Sequence, residues 1–475
     1  MAGRRALSLL AGSVGLVLLV GLLGPSVAQP PLPGAGGWPP YSFDLRPNAV
    51  GVTGLLLVAV GLGAAGLLRG LAALSAGWQP PVRRLVAAGS VAAALLVLVP
   101  PMGSADVLVY AAYGRIAATG GDPYRQTAAD LAARGDPVGQ AVEAPWTGTP
   151  SVYGPVATAE QRLAAVAGGD APHRIVFLLA ATGAAGYLGI TVLLLRLVGP
   201  DPVRRRRVAL LWALTPLLLA AAVNGAHVDV LGLVAAVAAV AAVRRSALGA
   251  GLLIAVACAV KLSFGLVVPA LVWALRRQPR HALALVGVGL ATGVALYSTV
   301  GWHALDQARS AGRMVSFASP WRLVLGPLQW VAGTGPARTL IGLSALVALL
   351  AVAALLARGL PGDPARRDRA LVAARCTAVL AMAWLFTASY SLPWYDVLAW
   401  APLAAVPPSA FDRLLVARTA LIAAAYVPGR AVGLPAWLAD VTGALRGAVA
   451  PVALAVLAGL VVSSARSARR SPRTG

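Results

Sequence analysis

The chain of 475 residues is 59% hydrophobic and only 12% charged, and its mean hydropathy is +0.79. Soluble globular proteins carry roughly 45–50% apolar and about 25% charged residues, so this composition excludes an ordinary soluble enzyme, a disordered chain and a DNA-binding domain. Apolar runs of about 20 residues recur, each long enough to cross a bilayer. The sequence therefore predicts an all-α polytopic membrane protein.

The net charge of +23 comes mainly from arginines in short loops between apolar runs. Such loops are typical of the cytoplasmic side of a membrane protein under the positive-inside rule. We therefore expect the lipid bilayer, and no nucleic acid, as the partner of these charges. The clusters are residues 83–84, 204–207, 244–245 and 276–277.

Residues 1–101 are predicted to form N-terminal transmembrane helices. The first 28 residues begin with charge and continue with an apolar stretch. They end in Ser26-Val27-Ala28, which resembles a signal-peptide cleavage site. We favour an uncleaved first helix, because the apolar stretch is long enough to span. Further spans are predicted near residues 50–74 and 85–101.

Residues 102–172 are predicted to form a large extracytoplasmic catalytic loop, and residues 173–475 a transmembrane bundle whose outer loops bind donor and acceptor. One apolar run, 247–275, is interrupted by Lys261 and has arginines at both ends, which favours a hairpin of two half-length helices. The total is about 14 crossings, or 12 plus the hairpin, with both termini cytoplasmic. The other spans fall near 173–198, 207–223, 228–243, 281–300, 338–358, 370–389, 393–407, 412–427 and 447–464.

The acidic residues are distributed unevenly over this topology. Only four of the 16 Asp and Glu residues fall in predicted inner loops, namely Asp201, Asp363, Asp368 and Asp412. Acidic residues contribute little to the orientation of a chain in the membrane, so their excess on the predicted outer side needs another cause. Chemistry on the outer face would supply one.

The loop of residues 102–172 carries the densest polar motifs. Asp106 precedes a predicted amphipathic interfacial helix over 107–118 that includes Tyr113. Asp106 can also be interpreted simply as a helix N-cap. The turn Gly-Asp-Pro-Tyr contains Asp122 and Tyr124, and Tyr153 begins a Tyr-Gly-Pro element. Both segments can also be ordinary turns.

Three polar residues stand beside or within apolar spans. His227 and Asp229 lie between two spans, where an ordinary turn needs neither. Lys261 interrupts an apolar run, and ionisable residues at such positions are costly and indicate function by default. The alternative for Lys261 is that its ammonium reaches the interface along its flexible stem.

Aromatic and cationic residues mark two further outer segments. Trp394 and Tyr395 stand at the end of a span, where an aromatic belt is the alternative interpretation. Arg322 lies in an outer loop, where it can meet lipid phosphate or water. An acid, a His/Asp pair, cations and aromatic rings on one side fit sugar transfer from a lipid-linked donor. That reaction needs a base for the acceptor hydroxyl and cations for the departing phosphate.

At these residues the sequence resembles a known family, the actinobacterial polyprenol-phosphate-mannose-dependent α-(1→6)-mannosyltransferases of the GT-C class. The resemblance rests on Asp-Val…Tyr-Ala-Ala-x-Gly from Asp106, on the motifs at Asp122 and Tyr153, and on the segments at 225–229, 259–262 and 393–395. It covers roughly residues 100–400. One departure is Val228, which stands where the family's His-Asn-Asp pattern has Asn.

The resemblance implies that Asp106 is the catalytic base. It also implies that mannose passes from polyprenyl-phosphate mannose to an α-(1→6) mannan acceptor of lipomannan, on the outer face of the cytoplasmic membrane. A β-linked donor and an α product mean inversion in a single displacement. Lys261 and Arg322 are then candidates for the donor phosphate. The candidates for substrate binding are Tyr113, Asp122, Tyr124, Tyr153, His227, Asp229, Trp394 and Tyr395.

Two alternatives remain open. The enzyme can use another lipid-linked sugar or form another linkage. A transporter or flippase of a lipid-linked sugar is the alternative from another class, with Lys261, His227 and Asp229 as its site. Transporters usually hold such residues near the midplane, whereas here they fall at span ends. No cofactor is expected, and no metal, because no second acid adjoins Asp106 and no His/Cys cluster has zinc spacing.

Overall fold

A computed structural model describes residues 1–32, 37–361, 368–430 and 432–470. Within these ranges the chain is helical and contains no β-strand, so the prediction of an all-α polytopic membrane protein is confirmed. Asp363, one of the four acids assigned to inner loops, lies outside the described residues.

The first three helices correspond to the spans predicted within residues 1–101. They are α1 (Ala2–Leu23), α2 (Ala49–Ser75) and α3 (Val82–Val97). A Cβ added to Gly66 of α2 would lie 2.8 Å from a side-chain carbon of Leu10 in α1. Small residues let helix backbones approach closely inside a membrane. Gly66 allows α2 to approach α1 in this way.

The loop of residues 102–172 is also helical. It contains α4 (Asp106–Ala118), α5 (Ala128–Ala133), α6 (Pro137–Gln140) and α7 (Pro155–Gly168).

Helix α4 begins one residue before the predicted start but is not amphipathic, because it is buried on both sides. Helix α7 covers it so closely that a Cβ added to Gly114 would lie 2.1 Å from the carbonyl oxygen of Gln161. The exposed apolar face belongs to α7 instead, through Leu163 and Val166. The interfacial helix that the sequence placed at α4 is therefore better matched by α7.

The remaining helices continue the bundle. They are α8 (Pro172–Leu197), α9 (Pro202–Val208), α10 (Pro216–Leu218), α11 (Asp229–Ala242), α12 (Ala247–Val260), α13 (Val268–Ala274), α14 (Pro279–Ser298), α15 (Ala304–Ala311), α16 (Arg322–Ala332), α17 (Thr334–Gly359), α18 (Arg369–Thr387), α19 (Val397–Ala405), α20 (Ala410–Tyr426), α21 (Ala436–Ala444) and α22 (Ala450–Arg470). Short π-helical segments lie at Ala209–Ala213, Leu219–Asn224 and Leu445–Val449, and 3₁₀ segments at Leu262–Val267 and Pro393–Asp396.

Eight described helical segments are long and apolar enough to cross a bilayer. They are Ala2–Leu23, Ala49–Ser75, Pro172–Leu197, Pro202–Asn224, Pro279–Ser298, Thr334–Gly359, Arg369–Thr387 and Ala436–Ser467. The other predicted spans are helical but shorter, at α3, α11, α12, the segment Leu262–Ala274, α19 and α20. The count of 12 to 14 crossings therefore stays a prediction.

The chain reverses at Lys261, as the hairpin interpretation predicts. Helix α12 ends at Val260, and Lys261 has an extended backbone. The returning segment runs along α11, since a Cβ added to Gly232 would lie 2.2 Å from the ring of Phe264. This reversal places Lys261 at the tip of the hairpin, beside the first residue of α11.

The two ends of the bundle differ in their polar residues. One end, here called the Asp106 end, holds Asp106, His227 and Lys261. The other, the arginine end, holds the basic cluster 204–207. Helix α2 connects them, since its Leu56 lines a cavity beside His227 and its Ser75 lines one beside Arg207. At 1.5 Å per residue, these two positions of α2 lie roughly 30 Å apart.

Three acids that the sequence assigns to inner loops belong to the arginine end. Each pairs with an arginine of a predicted cytoplasmic cluster, which fits the prediction that these acids and arginines share one side. The pairs are Asp201 with Arg204, Asp412 with Arg207 and Asp368 with Arg244.

Candidate active site

Asp106 is the first residue of α4 but not its N-cap. The cap position is Ala105, which offers no side-chain hydrogen bond, and the Asp106 N–H donates to Ser104 Oγ at 3.0 Å. The Asp106 carboxylate instead faces His227, whose Nδ1 lies 3.9 Å from Oδ2. The structure therefore does not support the capping interpretation of Asp106, and its role as the base stays a prediction.

Burial changes the acidity of Asp106. Its side chain is only 18% exposed. This burial raises the pKa of the carboxyl to about 6, although the Ser104 hydrogen bond and the Lys261 charge both act to lower it. A carboxylate with a pKa near neutrality is suited to accept a proton in a reaction at physiological pH.

His227 is held between two aromatic partners. Its ring stacks on Trp394 with centroids 3.6 Å apart and an interplanar angle of 12°. Its Nδ1 lies 3.3 Å from the Tyr110 hydroxyl, and the Tyr153 hydroxyl donates to that of Tyr110 at 3.2 Å. The orientation of the imidazole toward Asp106 is thus fixed by packing and hydrogen bonding together.

Tyr110 is a site residue that the sequence analysis missed. It follows Asp106 by four positions, and Tyr113 follows by seven, so all three lie on one face of α4. That spacing was the available signal.

Lys261 occupies the tip of its hairpin beside the same cluster. Its Nζ donates to Asp229 Oδ1 at 2.8 Å and lies 3.9 Å from the centre of the Tyr395 ring. The other carboxylate oxygen of Asp229, Oδ2, is buried and has no hydrogen-bond partner among the described residues. The ammonium of Lys261 is therefore anchored by Asp229 and remains partly exposed.

A cavity of about 90 Å³ opens in front of these residues. Five of the predicted site residues line it, namely Asp106, Tyr113, Tyr153, Trp394 and Tyr395. Trp146, Tyr390 and Met314 complete much of the wall and were not identified from the sequence. The cavity thus combines one carboxylate with an aromatic lining, which is the composition expected of a sugar site.

Six predicted site residues do not line this cavity: Lys261, His227 and Asp229 belong to the cluster beside Asp106, and the other three lie elsewhere. The Asp122 carboxylate contacts His303 Nε2 at 2.8 Å, and the Tyr124 hydroxyl is within 2.8 Å of Thr158 Oγ1. The Arg322 guanidinium lies over the ring of Phe317, 4.9 Å from its centre. The structure does not bring these three to Asp106, and their roles in substrate binding stay predictions.

A second cavity, of about 100 Å³, lies on the other side of the His227–Trp394 stack. Its walls are almost entirely apolar. They come from α1, α2, the segment 216–224 and α20, and include Val17, Leu56, Leu217 and Ala423. Both cavities are lined by Trp394, so one ring separates an apolar space from a space that holds a carboxylate.

A buried ion pair supports the turn that carries Trp394 and Tyr395. Arg418 pairs with Asp396 and donates to Ser391 Oγ at 2.6 Å. Thr419 Oγ1 donates to the other oxygen of Asp396 at 2.6 Å. The backbone at both ends of the turn is thereby fixed to α20.

Among the described residues, no three His, Cys, Asp or Glu side chains lie close enough to hold a metal ion. The dispensability of metal stays a prediction.

Comparison with known proteins gives one result. A family model described as alpha-(1->6)-mannopyranosyltransferase, N-terminal domain, matches residues 9–277. No curated protein and no solved structure matches the chain. The matched range includes Asp106, His227 and Lys261 but ends before Trp394 and Tyr395, so part of the cavity wall comes from outside it.

Proposed function

The chain belongs to the alpha-(1->6)-mannopyranosyltransferase family and is a glycosyltransferase; from that premise we propose its donor, acceptor and mechanism. The donor is polyprenyl-phosphate mannose, and the acceptor is an α-(1→6) mannan of the lipomannan type. The reaction takes place on the outer face of the cytoplasmic membrane, because the positive-inside rule puts the arginine end in the cytoplasm.

The proposal rests mainly on one observation: the buried carboxylate of Asp106 lies in an aromatic cavity that adjoins an apolar cavity. A polyprenyl-phosphate sugar has a polar part and an apolar part joined at a phosphate. The aromatic cavity accepts the mannose and the apolar cavity accepts the first prenyl units, with Trp394 at the boundary. Lys261 contacts the ring of Tyr395, which lines the aromatic cavity, and its charge stabilises the phosphate that departs.

Asp106 is the base of the proposed reaction. Its carboxylate takes the proton from the 6-hydroxyl of the acceptor, whose oxygen attacks the anomeric carbon of the donor mannose. The bond between that carbon and the phosphate oxygen breaks, and polyprenyl phosphate leaves with the electron pair. Attack opposite the leaving group inverts a β-linked donor to an α product, so one carboxylate suffices and no covalent enzyme intermediate forms.

Lys261 and Asp229 have complementary roles in this scheme. Asp229 holds the ammonium at the tip of the hairpin, so the cation is in place before the phosphate gains charge. Preorganised charge of this kind costs no rearrangement during the reaction. His227 is a positioning residue, because it touches both Asp106 and the Trp394 ring that bounds the sugar.

Transfer is measured with membranes that contain the protein, radiolabelled polyprenyl-phosphate mannose and a short α-(1→6) mannoside. Asp106→Asn is compared with the wild type and with Asp306→Asn, which alters an exposed acid that pairs with Arg309. Removal of a general base typically costs about 10²–10⁴ in rate, so we expect near-total loss in Asp106→Asn and full activity in Asp306→Asn.

The outcomes separate the parts of the proposal. Full activity of Asp106→Asn at matched expression removes Asp106 from the mechanism. Transfer from a different lipid-linked sugar, with none from the mannose donor, overturns the donor assignment. Linkage analysis of the product then decides whether the bond formed is α-(1→6).

A further inference from the structure

A cavity of about 360 Å³ lies at the arginine end of the bundle, far from Asp106. It is bounded by the last turns of α2, by α9 and by the beginning of α20. The catalytic scheme makes no use of this cavity.

The floor of the cavity is electrically neutral. Arg207 donates to both carboxylate oxygens of Asp412, at 2.7 and 2.9 Å, and also to the carbonyls of Val406 and Leu403. Both charged side chains are almost fully buried. The donors of Arg207 are thus occupied within the protein, and this pair needs no ligand.

The rim of the cavity is positively charged. Arg206 and Arg413 both line it, and neither pairs with a carboxylate in the part of the chain that the structure describes. Among the described residues, Arg206 donates to the amide oxygen of Gln79 alone, at 3.1 Å. Two guanidinium groups at one cavity mouth repel each other unless an anion lies between them.

The remaining wall is mostly apolar. Leu68, Leu71 and Leu74 of α2 line it together with Trp78, and Leu68 and Val203 are exposed. A tryptophan beside unpaired arginines at the end of a predicted span is typical of the membrane–water boundary. A ligand that fits this cavity has a phosphate for the arginines and a hydrocarbon chain for α2.

We propose that this cavity binds the head group of an anionic phospholipid, with the phosphodiester between Arg206 and Arg413 and an acyl chain along the leucines of α2. Guanidinium groups bind phosphate oxygens through paired N–H donors, which favours arginine at such sites. Basic pockets between membrane helices on the cytoplasmic side bind anionic head groups in other proteins. This lipid site is separate from the reaction at Asp106. The proposal is therefore independent of which sugar donor the enzyme uses.

The test measures lipid binding by native mass spectrometry on the full chain purified in a neutral detergent. Phosphatidylglycerol is titrated against phosphatidylcholine with the wild type and with Arg206→Gln/Arg413→Gln. Each arginine near an anionic lipid contributes about a fivefold gain, so the double variant is expected to weaken phosphatidylglycerol binding roughly 25-fold. Phosphatidylcholine binding stays unchanged.

The matched control is Arg83→Gln/Arg84→Gln, which removes two exposed arginines that do not line the cavity. Equal weakening in this control attributes the effect to general surface charge and overturns the proposal. Unchanged phosphatidylglycerol binding in Arg206→Gln/Arg413→Gln also overturns it, provided that the thermal unfolding midpoint is that of the wild type. Displacement of the lipid by millimolar inorganic phosphate identifies a soluble anion, rather than a lipid, as the ligand.

Discussion

The rate of mannosyl transfer is expected to rise with pH through the pKa of Asp106. A general base acts in its ionised form, and burial raises the pKa of this carboxyl to about 6. At pH 5 about one molecule in eleven then has an ionised Asp106, whereas at pH 7 about ten in eleven do. The expected loss between pH 7 and pH 5 is therefore roughly tenfold in kcat/KM.

Lys261 supplies a second, directional test of the same reasoning. Its charge lowers the pKa of Asp106, and the neighbouring Asp229 raises it. Lys261→Met removes the first influence and leaves the second unopposed, so the midpoint of the pH profile moves to higher pH. Lys261→Arg keeps the charge and should keep the midpoint within a few tenths of a pH unit.

The assay is the initial rate of transfer to a short mannoside between pH 4.5 and 8, with acceptor below its KM. The donor phosphodiester stays ionised throughout this range, so it adds no titration of its own. Enzyme returned from each pH to pH 7 must recover its activity, which excludes unfolding. A flat profile between pH 5 and 7, or a midpoint that moves to lower pH in Lys261→Met, would refute the assignment of Asp106 as base.

Three further substitutions test the packing around the site. Tyr110→Phe removes hydrogen bonds worth roughly 0.5–1.5 kcal/mol, so transfer should slow about 2–12-fold with little change in donor KM; an unchanged rate would contradict this. Arg418→Met leaves the buried Asp396 unpaired and should cost about 3–5 kcal/mol in thermal or denaturant unfolding, while Arg418→Met/Asp396→Leu should recover much of it. Gly114→Ala must push α7 from α4 and should cost about 1–3 kcal/mol, whereas Gly148→Ala, which meets open space, should unfold like the wild type.

Much of the fold follows from local patterns in the sequence. Apolar runs predict the helices within a few residues, because burial of backbone hydrogen bonds in a bilayer permits few alternatives. Lys261 was identified as a break because a lone cation in an apolar run has few structural explanations. The predicted start of α4, at residue 107, lies within one residue of the observed start at Asp106. The prediction that α4 is an amphipathic interfacial helix was wrong, because nothing in the local sequence shows that α7 covers it.

The candidate site shows the same division between local and distant information. Asp106 and Tyr110 are one helical turn apart, so their proximity is readable from the sequence. The contact of His227 with Trp394 joins segments far apart in the chain and is visible only in the structure. Asp122 is predicted as a site residue from the Gly-x-Asp-Pro-Tyr motif, yet the structure pairs it with His303, in a segment with no recognisable motif.

The ion pair of Arg207 and Asp412 has a consequence for biogenesis. Its two residues are 205 positions apart in the chain. At synthesis rates of about 5–20 residues per second, Asp412 leaves the ribosome about 10–40 seconds after Arg207. During that interval an arginine destined for burial has no carboxylate, so it stays hydrated at the membrane surface. The arginine end of the bundle therefore closes only after α20 has been inserted, and a ribosome that stalls before residue 412 leaves an open, charged cleft in the membrane.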